Sequence, residues 1–316
     1  MTNQKLMLLT VILSIGSLLV GVQNLDLQGL LALEETPVRI LTLSRIPRLL
    51  SILFAGIAMS ISGLIMQQLT RNRFVSPTTA TTIDSAKMGF LFGLLLFPGS
   101  SLILRMVLSF LFALGGTFLF MKILRSLGTQ NPIIIPLVGI MMGNVIDSVT
   151  SFFAIRFDLL QNIGSWMQGN FAMITRGRYE LLFLSLPFLV LAALYANKFT
   201  IAGMGDDFAA NLGLKAETIQ RIGISIVAIL TSLVVINVGQ IPYLGLIVPN
   251  IVTMYRGDHL KNNLLTTGLL GANFLLLTDL LGRLVIHPYE IPIGLMIGVL
   301  GSVVFLVLIV RRRHPA

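Results

Sequence analysis

Four polar side chains interrupt one apolar run of the sequence: Asn144, Asp147, Ser148 and Ser151 within GIMMGNVIDSVTS at 139–151. A second group, Ser60, Ser62, Gln67 and Gln68, accompanies AGIAMSISG at 55–63. Polar groups surrounded by lipid are costly and face a bundle interior or a water-filled path. Two readings follow: Ser62, Gln67, Asn144, Asp147 and Ser148 line a translocation path, or they make hydrogen bonds between helices. A proton relay needs an acid without a permanent cationic partner, and Asp147, with Asp84 behind it, is the candidate. Asp279 and Arg283 are four residues apart, the spacing of an ion pair on one helical face.

Several chemistries are excluded. The string GMGD at 203–206 matches the GxGD of intramembrane aspartyl proteases, which need a second membrane aspartate to share a proton. Here it lies in a polar loop, and the neighbouring Asp206 and Asp207 lack the third aspartate of a diphosphate site. His259, His287 and His314 are too far apart for a metal site built at i, i+3 or i+4, and none is expected. The absence of cysteine removes disulfides, thiolate metal sites and cysteine nucleophiles. No G-x-x-x-x-G-K-[ST] phosphate loop occurs, so any ATP used must be bound by another chain.

The elements that must position these residues are membrane helices. Of 316 residues, 55% are apolar and 11% charged, and the mean hydropathy is +0.91. A soluble domain carries ~25% charged residues, whereas a bilayer core takes ~20 apolar residues per helical span. The apolar runs predict about ten spans, at 6–22, 47–69, 84–97, 102–121, 133–155, 181–197, 222–239, 244–255, 264–285 and 289–310. They form a single transmembrane domain over residues 1–316, with no room for a separate soluble one. The first run lacks a small-residue cleavage site and reads as a retained span. The third and eighth spans are short and broken by Pro98, Gly99, Pro242 and Pro249, so they should be shielded from lipid.

Loop charges orient the chain. Thirteen lysines and arginines fall on the side of both termini, which places the termini in the cytoplasm. Eight fall on the other side, all of them arginine: Arg39, Arg45, Arg48, Arg105, Arg156, Arg176, Arg178 and Arg283. Lys87 lies inside the third span. Arginine's planar fork suits carboxylates, so the outer arginines read either as a dock for an acidic partner or as headgroup anchors. The long cytoplasmic stretch 197–221 carries its own helical pattern. Phe208, Leu212 and Lys215 share one face, Asp206 and Asp207 suit the helix N-terminus, and Gly213 lies near the end. It reads as a contact surface or as a structured linker.

Ordered along the chain, SRIPRLL at 44–50, SGLIMQQLTRNRFVSP at 62–77, the GxxxGN of the fifth span, SWMQGNF at 165–171, AANLGL at 209–214, GLIVPNIVTMYRGDHLKNNLL at 245–265, GANFLLLTDLLGR at 271–283 and EIPIGLMIGVLGSVVF at 290–305 resemble the FecCD-type or BtuC-type permeases of type II ABC importers. The resemblance runs nearly end to end. It implies an all-α permease in the bacterial cytoplasmic membrane, ten helices per subunit, paired with an identical or paralogous permease around one path. Two ATPase subunits would bind beneath, and an extracytoplasmic binding protein would deliver the cargo. By position in the motif, Arg45 and Arg48 look like the docking arginines, with Arg176, Arg178 and Arg283 as further candidates. Asp206, Asp207, Phe208, Ala209, Ala210, Leu212 and Gly213 look like the coupling helix, and Gln130, Asn131 and Pro132 occupy the place of the cytoplasmic gate. The family carries ferric siderophores, haem or cobalamin. Asn250 stands where many relatives have histidine, and RNRFVSPTTA resembles permeases for catecholate siderophores, which makes an Fe(III) chelate the expected cargo. A proton-driven secondary transporter working through Asp147 is the alternative.

Overall fold

A computed structural model describes residues 2–21, 32, 34–128, 131, 133–177 and 179–312. The described residues are helical throughout, without strands. In chain order the helices are α1 (Asn3–Leu19), α2 (Glu35–Ile40), α3 (Ile46–Leu69), α4 (Thr82–Leu96), α5 (Leu102–Leu127), α6 (Ile134–Arg156), α7 (Leu160–Met167), α8 (Ser185–Met204), α9 (Asp206–Asn211), α10 (Ala216–Val238), α11 (Leu244–Arg256), α12 (Leu260–Leu284) and α13 (Ile293–Arg312). Six stretches are long and apolar enough to cross a bilayer: Glu35–Leu69, Ile103–Leu127, Ile134–Arg156, Tyr179–Met204, Ala216–Val238 and Leu260–Leu284. Asn3–Leu19 and Ile293–Leu308 are shorter and apolar.

α3 and α10 form the centre, buried along most of their lengths, and α12, α11 and α8 pack directly on α3. Small residues make this approach possible. A Cβ on Gly63 would collide with the Gly245 carbonyl of α11, and one on Gly56 would lie 2.7 Å from the Ala272 Cα of α12. That Gly245 carbonyl is four residues before Pro249, which has no N–H to donate back to it. The proline therefore opens the backbone of α11 at the place where α3 touches it.

α2 passes through a π-helical turn, Leu41–Arg45, directly into α3. Pro47 cannot donate to the carbonyl of Leu43, and a proline ring crowds that carbonyl in a regular helix. The widened turn relieves the crowding. The Leu43 carbonyl instead accepts the Arg176 backbone N–H at 3.3 Å, tying the loop after α7 to the entrance of α3.

The two short spans, α4 and α11, are shielded as expected. α11 buries the run from Leu244 to Asn250, and α4 buries the face carrying Ile83, Ala86, Phe90 and Leu91. The SWMQGNF motif is a clasp. Trp166 stacks on Phe90 of α4 with centroids 3.6 Å apart. The Gln240 and Gly294 N–H groups donate to the Met167 and Gly169 carbonyls at 3.0 and 3.2 Å. Gly239 has φ +93, and a Cβ there would sit 2.6 Å from the Gly169 nitrogen, so this crossing is restricted to glycine.

Several boundaries differ from the sequence reading: α5 runs on to Leu127, α10 begins at Ala216, and α8 is longer than expected. α8 continues through residues 197–204, which the sequence places in the polar cytoplasmic loop. Phe199 and Ala202 keep the helical period of the buried face, and Lys198 follows it by laying its ammonium 4.6 Å from the Tyr195 ring centre. The non-membrane connection is therefore the shorter stretch from Gly205 to Lys215.

Candidate translocation path and coupling surface

α6 presents one face outward along its length. Leu137, Met141, Asn144, Val145, Ser148 and Phe152 are exposed on it, while Ile135, Gly139, Gly143, Thr150 and Ala154 are buried opposite. The burial side is set by glycine. A Cβ at Gly139 would strike the Thr79 carbonyl, and one at Gly143 would strike the Asp84 carboxylate, so α6 lies against the entrance of α4. Ser148 donates to the Asn144 carbonyl at 2.7 Å, which leaves the Asn144 amide on the open face.

Asp147 borders that face with a cationic partner that the sequence reading did not give it. Its Oδ1 accepts from Lys87 Nζ of α4 at 2.5 Å, the side chains being 44% and 20% exposed. The expectation of an unpaired acid is thus corrected: Lys87 sits three residues after Asp84 on α4 and reaches across to α6. Asp84 feels the charges of both Asp147 and Lys87. Lys87 is the site residue that sequence reasoning passed over. Its signal was present, a lysine inside an apolar run one helical turn from an aspartate.

Ser62 and Gln67 are placed differently from Asn144, Asp147 and Ser148. Both are buried inside the bundle, and Gln67 donates to the Leu246 carbonyl of α11 at 3.3 Å. The close Gly63–Gly245 crossing covers Ser62, whereas Gln67, one turn further on, reaches the edge of a cavity at the end of α3. Of the two readings open for the polar set, interhelical bonding applies to Gln67, Ser62 is buried with its hydroxyl unpartnered, and exposure on an open face applies to Asn144 and Ser148 of α6.

The outer arginines also divide. Arg45 is buried, and its guanidinium donates to the Leu19 carbonyl at 2.8 Å and to that of Leu18. Arg283 donates to the Ser17 and Val20 carbonyls at 2.9 and 2.8 Å, to Ser17 Oγ, and to Asp279. Two guanidiniums therefore occupy the last carbonyls of α1, the negative end of a helix. Arg48 bridges Asp279 at 2.8 Å and Glu290 at 2.7 Å. The i, i+4 pair expected from sequence is present and has become a buried network joining α1, α3, α12 and the segment leading to α13. Glu290 is a member that no spacing rule revealed, because it lies 242 residues from Arg48. Arg45, Arg48 and Arg283, expected as docking residues, thus have guanidiniums engaged by acceptors of this chain, with the Nε of Arg48 and of Arg283 left unpartnered. Arg176 and Arg39 are exposed, and Arg178 lies outside the described residues.

On the opposite side, α9 stands on a short stalk. Gly205 at φ +142 precedes it and Gly213 at φ +74 ends it, with the Gly213 and Leu214 N–H groups both returning to the helix at 2.9 Å. Ala209 is fully buried, whereas Asp206, Asp207, Phe208, Ala210 and Leu212 are exposed. Phe208 and Leu212 join Met204 in an apolar patch outside the spans. Arg71, at the end of α3, holds α9 through Asp206 at 2.5 Å, and nearby Arg73 holds Asp258 at 2.6 Å. Between these lies a cavity of about 470 Å³ lined by Gln67, Gln68, Arg71, Thr200, Thr253 and His259, among others. Of the expected gate, Gln130 and Pro132 lie outside the described residues. Asn131 accepts the Ile133 N–H at 2.9 Å through Oδ1 and so leads into α6.

Comparison with known proteins agrees with this arrangement. The model of the FecCD transport family matches residues 7–311. The petrobactin import system permease protein YclN of Bacillus subtilis is 52% identical over 100% of both chains. The petrobactin import system permease protein FatD of Bacillus anthracis is 38% identical over 98% of this chain and 90% of its own. The ferric-anguibactin transport system permease protein FatD of Vibrio anguillarum is 36% identical over 85% of each. In fold, the chain is similar to a metal-chelate type ABC transporter solved in an inward-facing conformation, with TM-score 0.84, 24% identity and 98% of each chain covered.

Proposed function

This chain belongs to the FecCD transport family of permeases, and from that premise we propose that it is the membrane-spanning subunit of an ATP-driven importer of a ferric siderophore of the catecholate type. The observation that carries the reading is the end-to-end similarity, at 52% identity, to a permease of petrobactin import. The chain crosses the cell membrane about ten times with both termini in the cytoplasm. It pairs with a second permease, identical or paralogous, through the open face of α6, and the polar residues Asn144, Asp147 and Ser148 line the path between them.

α9 is the joint to the ATPase. Its apolar patch of Phe208 and Leu212 is exposed to water on a stalk bounded by two glycines, which suits insertion into a cleft of a partner. The two ATPase subunits hydrolyse ATP, this chain binds no cofactor of its own, and Fe(III) travels as part of the cargo. An extracytoplasmic binding protein docks on the outer side, where Arg39 and Arg176 are exposed. The pairing of Asp147 with Lys87 counts against a proton-driven transporter, because the expected relay acid has a cationic partner within the fold.

Reconstitution tests the proposal. Proteoliposomes holding this permease with its partner permease and ATPase should accumulate ferric petrobactin only when ATP is inside and the binding protein outside. Accumulation without the ATPase or the binding protein would overturn it.

A further inference from the structure

Inside the apolar part of α4 stands one basic side chain, Lys87, and α6 carries one acid, Asp147. Charges within a membrane span are expensive and mark a path, a relay or a pair. The chain provides its own standard for a purely structural pair: Asp279 and Arg283 are 3% and 4% exposed and fully enclosed by α1 and α3. Lys87 and Asp147 are 20% and 44% exposed. Asp147 lies one turn from Asn144 and beside Ser148, at the edge of the open polar face. An ion pair whose task is to glue α4 to α6 gains nothing from opening onto that face.

Asp84 stands behind the pair, its carboxyl group packed against Gly143 of α6. As an ion pair, Lys87 and Asp147 add no net charge to the open face. Without Lys87 one formal negative charge would remain, and without Asp147 one positive. A path must hold its cargo weakly enough to release it, and iron bound by catecholate dianions is an anion. A strongly acidic wall would repel such a chelate, and an unpaired lysine would trap it.

We propose that Lys87 and Asp147 form a charge filter in the translocation path, which sets the net charge of the chelate that passes. The inference rests on the reading of the α6 face as the path wall. The filter positions no iron ligand and makes no bond to the metal. It acts at a distance, by the field that the cargo meets in passing.

The test uses the complete importer in proteoliposomes, with the binding protein and ATPase present, and two analogues of the delivered ferric chelate that differ by one charge. The readout is the ratio of variant to wild-type uptake for each analogue, so that selectivity in the binding protein cancels. Lys87→Met should depress the more anionic analogue relative to the other by roughly fivefold to thirtyfold, the factor for one charge ~8–10 Å away at an effective dielectric of ~20–40. Asp147→Asn should move the ratio in the opposite direction. The double variant restores the wild-type net charge and should restore the ratio. Lys87→Arg should leave the ratio unchanged, and Lys87→Gln gives the same reading as methionine if the latter disturbs assembly. Equal effects on both analogues in every variant would overturn the filter alone, leaving a structural ion pair. Failure of the wild-type importer to take up either analogue with ATP would overturn the functional reading and the filter together.

Discussion

Replacing Asp279 by alanine should be among the most damaging single changes outside the path. Its carboxylate, 3% exposed, is the shared acceptor of Arg48 and Arg283. Removing it leaves Arg283 with only the Ser17 and Val20 carbonyls and the Ser17 hydroxyl, while Arg48 keeps only Glu290. Breaking a buried pair by removing one partner costs ~3–5 kcal/mol, because an uncompensated charge stays behind. At ~2–4 °C per kcal/mol for a large chain, the unfolding midpoint of the purified protein in detergent should fall by roughly 6–20 °C. The control is Glu217→Gln, which breaks the pair with Arg221 at 67% and 58% exposure, where the contribution is under ~1 kcal/mol. Arg48→Met keeps the Asp279–Arg283 pair and should fall between the two. Scanning fluorimetry on the three variants reads the order directly. If Asp279→Ala melts within ~2 °C of Glu217→Gln, the network contributes no more than a surface pair and the reasoning is refuted.

Other outcomes follow from single contacts. Gly63→Ala should sharply lower the yield of folded protein, because its Cβ meets the Gly245 backbone carbonyl rather than a movable side chain; size-exclusion chromatography after extraction checks this. Arg45→Ala removes two donors from the end of α1 and should lower the unfolding midpoint, without abolishing assembly with the ATPase. Phe208→Ser with Leu212→Ser should leave the midpoint unchanged, since both side chains are about half exposed, yet reduce co-purification of the ATPase several-fold. Arg176→Glu should weaken capture of the binding protein, measured by its retention on immobilised permease, while Arg283→Glu should act through lost stability instead.

The all-helical class and the order of the apolar helices were legible because apolar content is a one-dimensional property, although only six of the ten expected spans recur, among the described residues, as helices long and apolar enough to cross a bilayer. Even the unusual ones, α4 and α11, announced themselves through Pro98, Pro242 and Pro249. The stretch 197–204 was misplaced because lysine next to aromatic residues reads as polar, whereas its stem can follow Tyr195 along the helix. What resisted was partnership. The arginines at 45, 48 and 283 carry no mark that separates a docking side chain from one that caps α1, because the decision depends on where Leu18, Ser17 and Glu290 arrive in space. In the same way Ser62 and Asn144 are both polar residues within apolar runs, and only the position of Gly245 against Gly63 distinguishes them.

α3 links the two ends of the molecule. Through Arg48 its outer end is bonded to α12 and to the segment before α13, and Arg45, in the turn leading into it, holds α1. At the opposite end, Arg71 holds α9 and Arg73 holds the segment between α11 and α12. Between these ends α3 is buried and packed at glycines, which leave no compressible side chain to absorb a displacement. α3, α11 and α12 therefore pack as one group, to which α9 is tied by the exposed Arg71–Asp206 pair. α6 stands outside this block, touching chiefly α4 and α5. The geometry separates a glycine-packed inner group, tied to α9 through Arg71, from α6, whose exposed face carries Asn144 and Ser148.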